Sequence, residues 1–375
     1  TKPGVTSYNC EQSRQVRLED GGARVHLYAV SYRADTRGLD GPSLELDVTS
    51  PLPGILRMQA VHFKGERQKQ PRFPLADQCL PLSITQTENR LAISSGDLRL
   101  EITLRPCTMQ YFWQDRPLTA IGSRFGSTML SFIQTPDGPF MRGWLDVGVG
   151  EKVFGLGEHF TALERNGQSI DIWNEDGGTS SEIAYKNIPF YLTNRGYGVL
   201  VNDPGPVSFE VCTEAATKVQ FSVPGQKLDF LVIGGGDMKQ VLRNYTALSG
   251  RPALPPAWTF GLWLSSSFTT SYDENTVSSF VDGMAQRGIP LSVFHFDCFW
   301  MKENEWCGFE WDADMFPDVE GLLGRFHEKG LKICVWINPY LGQKSKTFDE
   351  AMEKGYLLCR ENGDVWQWDL WQVGC

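Results

Sequence analysis

The sequence predicts a chain of two fold classes, an antiparallel β-sandwich followed by βα units of a parallel sheet. Three observations predict it. Up to about Gly236 apolar and polar residues alternate with period two, punctuated by Gly, Asn and Asp turns. Beyond that point near-continuous apolar runs alternate with amphipathic helical stretches. Between the two grammars lies "GRPALPPAW", where Pro252, Pro255 and Pro256 lack backbone donors and bar a helix from continuing.

Each element follows from its local pattern. "RVHLYAVSY" alternates, and so does the stretch from Leu82 to Leu104. There Leu82, Ile84, Leu91 and Ile93 share one face, and Leu98, Leu100 and Ile102 continue it after the turn at "SSGD". Short strands follow at "PFYLTN", "YGVLVN", "VSFEV" and "KVQFSV". So many strands and so few helices predict a sandwich over residues 1–236. A helix is expected at about 237–248, inside a helix-and-proline linker over 237–256, and residues 257–375 carry the α/β part.

In that part "WTFGLWLS", "LSVFHFDCFW" and "KICVWINP" read as buried strands. Val277, Phe280, Val281 and Met284 make one helical stripe, with Gly288 as its stop. Val319, Leu322, Leu323 and Phe326 make a second, between Pro317 and Gly330, and a short helix is expected near Thr347–Lys354. Polar and aromatic residues gather where each strand ends: Ser265 to Phe268, Asp297 to Trp300, and Trp336 to Asn338. That end is where an α/β barrel or open sheet places its ligand site.

Composition narrows the classes. The chain has 375 residues, 41% of them hydrophobic and 21% charged, as a globular protein does. A net charge of −10 and the lack of any Lys/Arg run argue against nucleic acid as a partner. No apolar window is long enough to span a bilayer, so no membrane span is expected. The chain opens at Thr1 without Met and shows no signal segment, which fits either a missing N-terminal piece or a removed leader. Nine scattered cysteines, several inside apolar runs, read as reduced thiols and favour a reducing, cytoplasmic setting.

Asp297 stands alone among "FHFDCFWM". An ionised carboxylate in such company is costly unless something satisfies it. Two readings account for it. It caps a helix or pairs with an Arg, or it binds a ligand beside Phe268, Phe299, Trp300 and Trp336, as carboxylates and aromatic faces hold sugars. Weaker motifs fall away. "GLGEHF" lacks a third glycine and a βαβ setting, and "LGQKSK" lacks the glycines of a phosphate loop. The five histidines show no metal spacing, and no Gly-x-Ser-x-Gly elbow occurs. "WNEDGGTSSE" (173–182) reads as a surface hairpin or as a loop that closes a site. Asp312, Asp314 and Asp318 read as capping residues. Asp369 lies in a Trp-rich tail without strand context.

Long blocks in order resemble glycoside hydrolase family 31, and within it the bacterial α-xylosidase branch. They are "VFGLGEHFTALERNGQ", "WNEDGGTSSEIAYKNIPFYLTNRGYGVLVN", "GRPALPPAWTFGLWLSSSFTTSYDE", "FHFDCFWM" and "KICVWINPYLGQKS". The resemblance implies a galactose-mutarotase-like sandwich and then the first three βα units of an incomplete (β/α)8 TIM barrel. It implies a retaining exo-hydrolase of α-linked xylose, with α-xyloside or α-glucoside oligosaccharides as partners, no cofactor, and homo-oligomer formation left open. It assigns Asp297 to gripping sugar hydroxyls and Phe268, Cys298, Phe299 and Trp336 to shaping the subsite. Asp176 matches the residue that the sandwich loop carries towards the barrel mouth.

A retaining glycosidase needs two carboxyls flanking the scissile bond. The family's nucleophile follows a Lys-Thr-Asp-type strand end, and its acid/base comes later. Neither motif precedes Cys375, so both are expected beyond it, and the chain alone is expected to be inactive and aggregation-prone. The alternative is a non-catalytic carbohydrate-binding or oligomerisation piece.

Overall fold

The structure, a computed structural model, describes residues 3–22, 24–30, 41–69, 71–124, 127–175, 181–267, 270–369 and 372–375. They form two compact units, Thr1–Pro252 and Ala253–Cys375.

The first unit is a sandwich of a twelve-stranded and an eight-stranded sheet, and every described ladder in them is antiparallel. Alternation places one face of each sheet inward. Arg24–Val30 buries Val25, Leu27 and Ala29, and Leu98–Leu104 buries Leu98, Leu100 and Ile102. These faces meet in one core, where the Phe221 ring of the larger sheet lies 5.3 Å from the Phe230 ring of the smaller. The outer face of the smaller sheet is apolar too, and helix α1 (Met238–Ser249) covers part of it. Asp237 caps α1 by accepting from the Gln240 N–H. Val241 and Leu248 are buried with Ile55, Leu200 and Leu231, and Tyr245 stacks on Phe190 at 3.9 Å.

The "GLG" segment has a local reason unrelated to nucleotides. A Cβ at Gly157 would stand 2.2 Å from the Lys186 carbonyl oxygen, and its φ is +88°. Only glycine allows that close approach of two loops.

The second unit is built on three parallel strands, β1 (Leu262–Ser265), β2 (Leu291–Phe296) and β3 (Lys332–Val335), in that order. Ser265 pairs with His295, and His295 with Cys334. Helix α2 (Glu274–Gln286) joins β1 to β2, α3 (Val319–Glu328) joins β2 to β3, and α4 (Lys346–Lys354) follows. Val277, Val281, Leu322 and Phe326 are buried from the two stripes against Phe294 and Phe296, whereas Phe280 stays exposed on the flank of α2.

Two segments differ from expectation. "WTFGLWLS" is not one strand: Ala257–Phe260 is a 3-10 turn, and β1 begins only at Leu262. Gly261 sits at the switch, where a Cβ would lie 1.9 Å from Ser292 Oγ of β2. The Trp-rich tail has strand context after all, because Gln367–Trp368 and Leu341–Gly342 both pair with Val373–Gly374. Among the described residues no helix is long and apolar enough to cross a membrane.

Candidate functional site

The carboxyl ends of β1, β2 and β3 bring together Ser266, Asp297, Cys298, Phe299 and Trp336. Strand β2 stops at Phe296, and Asp297 turns the chain into a 3-10 helix, Cys298–Trp300. Asp297 Oδ1 accepts the Cys298 N–H at 2.7 Å, so one reading of this residue, the cap, is met. Its backbone N–H donates to Ser266 Oγ at 3.1 Å, which ties the end of β2 to the residue after β1. Ser266 is buried, 1% exposed, and Asp297 is half-buried.

The aromatic residues divide into scaffold and wall. Trp300 is buried, and its indole N–H donates to the Trp336 carbonyl at 2.7 Å; it is core, not platform. Trp336 is half-buried and stacks on Trp306 at 5.3 Å with 27° between planes. Phe299 is half-buried with its ring 5.9 Å from Tyr272. Cys298 is buried at 2% exposure. Phe268 and Asp176 lie outside the described residues.

Polarity here is confined. Burial pushes the Cys298 thiol up to about 11, the Asp297 charge adds to this, and the Trp306 indole opposes it by hydrogen bonding. Burial likewise pushes the Tyr272 phenol up to about 12, with a Ser266 hydrogen bond acting against it and the Asp297 charge acting with it. Both groups are therefore neutral at physiological pH and can donate hydrogen bonds. The Tyr272 hydroxyl donates to the Ser267 carbonyl. Cys307 holds the loop after β3, its thiol donating to the Asn338 carbonyl oxygen at 3.0 Å.

An ionised carboxylate offers about four acceptor sites, and the cap uses one. Asp297 can thus accept from hydroxyl donors while Phe299 and Trp336 supply apolar faces. Sequence reasoning placed Ser266 and Asn338 among the strand-end residues without giving either a role, and it missed Tyr272 and Trp306. Only the density of Trp in "FWMKENEWCGFEW" hinted at Trp306. The aspartates after Trp311 serve structure: Asp312 Oδ1 accepts the Asp314 N–H, and Asp318 caps α3. Among the described residues no cluster of His, Cys, Asp and Glu has the makings of a metal site.

A sandwich followed by parallel βα units, with an aspartate among aromatics at the strand ends, defines a class of proteins that continue a β-sandwich with a parallel α/β sheet. Residues 252–374 match the family model for the glycosyl hydrolases family 31 TIM-barrel domain. Residues 45–210 match that for the glycosyl hydrolase 31 N-terminal galactose mutarotase-like domain. The chain belongs to glycoside hydrolase family 31. It is 47% identical over 362 residues to an α-xylosidase of Emericella nidulans, which covers 92% of this chain and 46% of that relative. It is 45% identical over 359 residues to α-xylosidase XylQ of Lactiplantibacillus pentosus, covering 95% of this chain and 47% of that one. The chain thus spans about half the length of these curated relatives. Among solved structures, a Flavobacterium johnsoniae family 31 dextranase complexed with glucose superposes with a TM-score of 0.80 at 20% identity. The match covers 98% of this chain and 44% of that one. A family 31 α-xylosidase from a soil metagenome complexed with xylose gives 0.73 at 17% identity, covering 96% and 52%. These two likenesses establish the fold.

Proposed function

We propose that the strand-end site of the second unit grips a terminal α-linked xylose, and that the protein acts as a retaining, exo-acting α-xylosidase. The observation that carries this is the half-buried Asp297, which keeps acceptor capacity beside Phe299 and Trp336 after capping its own turn. Identity of 45–47% to two α-xylosidases supports xylose over glucose. In this reading Asp297 accepts hydrogen bonds from ring hydroxyls, and the wall of Phe299, Trp336 and underlying Cys298 leaves little room for the hydroxymethyl group of a hexose. Phe268 is proposed to complete the subsite. No residue of the chain is assigned as nucleophile or acid/base, and on the loop after β2 the Asp312 and Asp318 carboxylates each accept a backbone N–H.

The test has two arms. Calorimetry with xylose on the 375-residue chain reports binding, and Asp297→Ala is expected to remove the component that the strand-end site contributes. Protein expressed from the complete reading frame is expected to hydrolyse an aryl α-xyloside. There Asp297→Ala lowers kcat/KM by at least roughly 30-fold, about 2 kcal/mol of transition-state binding, because charge-assisted bonds to hydroxyls are strong ones. A value within threefold of the unaltered protein, on the order of 0.6 kcal/mol, refutes the role of the carboxylate. A non-catalytic carbohydrate-binding function is the outcome if sugar binds and no turnover is found.

A further inference from the structure

The first unit contains a cavity of about 570 Å³, large enough for one or two sugar rings, which the site on β2 does not use. Its lining comes wholly from the sandwich unit. The floor is the outer face of the eight-stranded sheet, with Arg57, Leu200 and Asn202. The walls are the 71–77 loop, α1, and the segments around Trp173 and Asn187. We propose that this cavity is a second saccharide-binding site whose ligand is a neutral mono- or disaccharide.

Two exposed aromatic side chains edge it: Phe73 is 71% and Trp173 54% exposed, and they come from different segments. A lone exposed aromatic needs no explanation, but two on one concavity supply apolar faces for the C–H patches of a sugar ring. The polar groups offer both donors and acceptors. Asn187 fixes this corner, donating from Nδ2 to the Trp173 carbonyl at 2.7 Å and to the Ala184 carbonyl at 2.8 Å. Its backbone N–H donates to Asn174 Oδ1 at 3.0 Å, which turns the other end of that amide, a donor, to other use. Asn202 donates through Nδ2 to Asp229 at 3.0 Å and keeps its carbonyl oxygen as an acceptor.

Charge is balanced in sign: Arg72 and Asp77 also line the cavity, and the Asp77 charge acts on Arg57. Arg57 is clasped by Asp229 at 2.9 and 2.5 Å, and that bond raises its pKa. Lys69 engages Asp203 at 2.7 Å. An anionic ligand would have to compete with Asp229 for the guanidinium, whereas a polyol needs only the uncommitted amide ends and the remaining Arg57 N–H groups. A neutral, hydroxyl-rich ligand is therefore the better match to this lining.

The experiment is saturation-transfer NMR and calorimetry on the full 375-residue chain with glucose and isoprimeverose, and with inorganic phosphate as the anionic probe. Trp173→Ala and Phe73→Ala remove exposed rings and leave the core untouched. Each is expected to weaken sugar binding about fivefold or more, with Trp173→Phe restoring most of it. Asp297→Ala is expected to leave this binding unchanged, which separates it from the proposed strand-end subsite. Absence of sugar binding up to about 20 mM, weaker than a useful site requires, overturns the proposal. So does binding that Asp297→Ala removes and Trp173→Ala does not, or a preference for phosphate over sugar.

Discussion

Asp297 holds two jobs on one side chain, and they can be separated. Its cap needs only a side-chain oxygen, which Asn supplies almost as well as Asp, whereas a grip on hydroxyls gains from the negative charge. Asp297→Asn is thus expected to leave the thermal midpoint of the chain within about 1 °C, a change in stability of a few tenths of a kcal/mol, while xylose affinity drops about tenfold. A calorimetric titration beside a melting curve checks both. Loss of stability with retained affinity would leave only the cap. The buried thiols and phenols around it give a second prediction. Burial pushes Cys298 up to about 11, Cys107 and Tyr272 up to about 12, and Tyr191 and Tyr197 well above their ordinary value. In the unfolded chain these groups return to ordinary values of 9.0 and 10.0. The folded state then binds more protons, so stability is complete below about pH 9 and falls as pH rises towards 12. The urea midpoint should decline between pH 8 and 10.5, and a flat profile would contradict it. At this scale the sequence was legible where a residue type was out of place, as Asp297 was. Ser266 was legible only as one of the polar residues where β1 ends, and Tyr272 not at all, since a buried tyrosine carries no mark until the fold sets it beside a carboxylate.

The elements were legible where one face is buried. The stripes of α2 and α3 announced themselves because Val277, Val281, Leu322 and Phe326 fall a turn apart. The start of β1 was not legible, because a 3-10 turn and a buried strand share the same apolar composition in "WTFGLWLS". The ends of the helices rest on single side chains. Asp273 caps α2 by accepting from the Thr276 N–H and also takes the Ser271 and Thr276 hydroxyls, which holds its carboxyl down at about 2. Asp273→Ala should cost about 1 kcal/mol by urea denaturation. A depressed carboxyl stabilises above its ordinary value of 3.8 and ceases to do so as pH falls through about 2, so the cost should shrink in acid. Arg325 of α3 reaches Glu274 of α2 at 2.5 and 2.7 Å, but on an exposed surface. Arg325→Ala should therefore cost less than Asp273→Ala in the same denaturation experiment. The reverse order would mean that the ion pair, not the cap, fixes how α2 begins.

The scale of the whole molecule shows what pattern cannot carry. Alternation told which residues of the sandwich face inward, but not which strands are neighbours. Thr6–Cys10 pairs with Ser127–Thr135, more than a hundred residues away, and nothing local encodes that. In the second unit β1 and β3 each have a single partner among the described residues, β2, and so each turns a free edge outward. Free parallel edges invite pairing with another chain, more so where the side chains beside them are apolar. Here they are: Leu262 is 44%, Trp263 42% and, just past β3, Ile337 58% exposed. The 375-residue chain should therefore self-associate as its concentration rises, which sedimentation velocity would record as a growing fast fraction. Leu262→Lys places a charge on the β1 edge at little cost to the fold, about 0.5 kcal/mol for a surface change. It should slow that association, because burying an unpaired ammonium in a new sheet edge is costly. Gln286→Lys, a matched charge at an exposed position on α2, should not. Association that ignores both substitutions would place the sticky surface elsewhere, and a monomer at every concentration would mean that the open edges are protected in a way three strands alone do not provide.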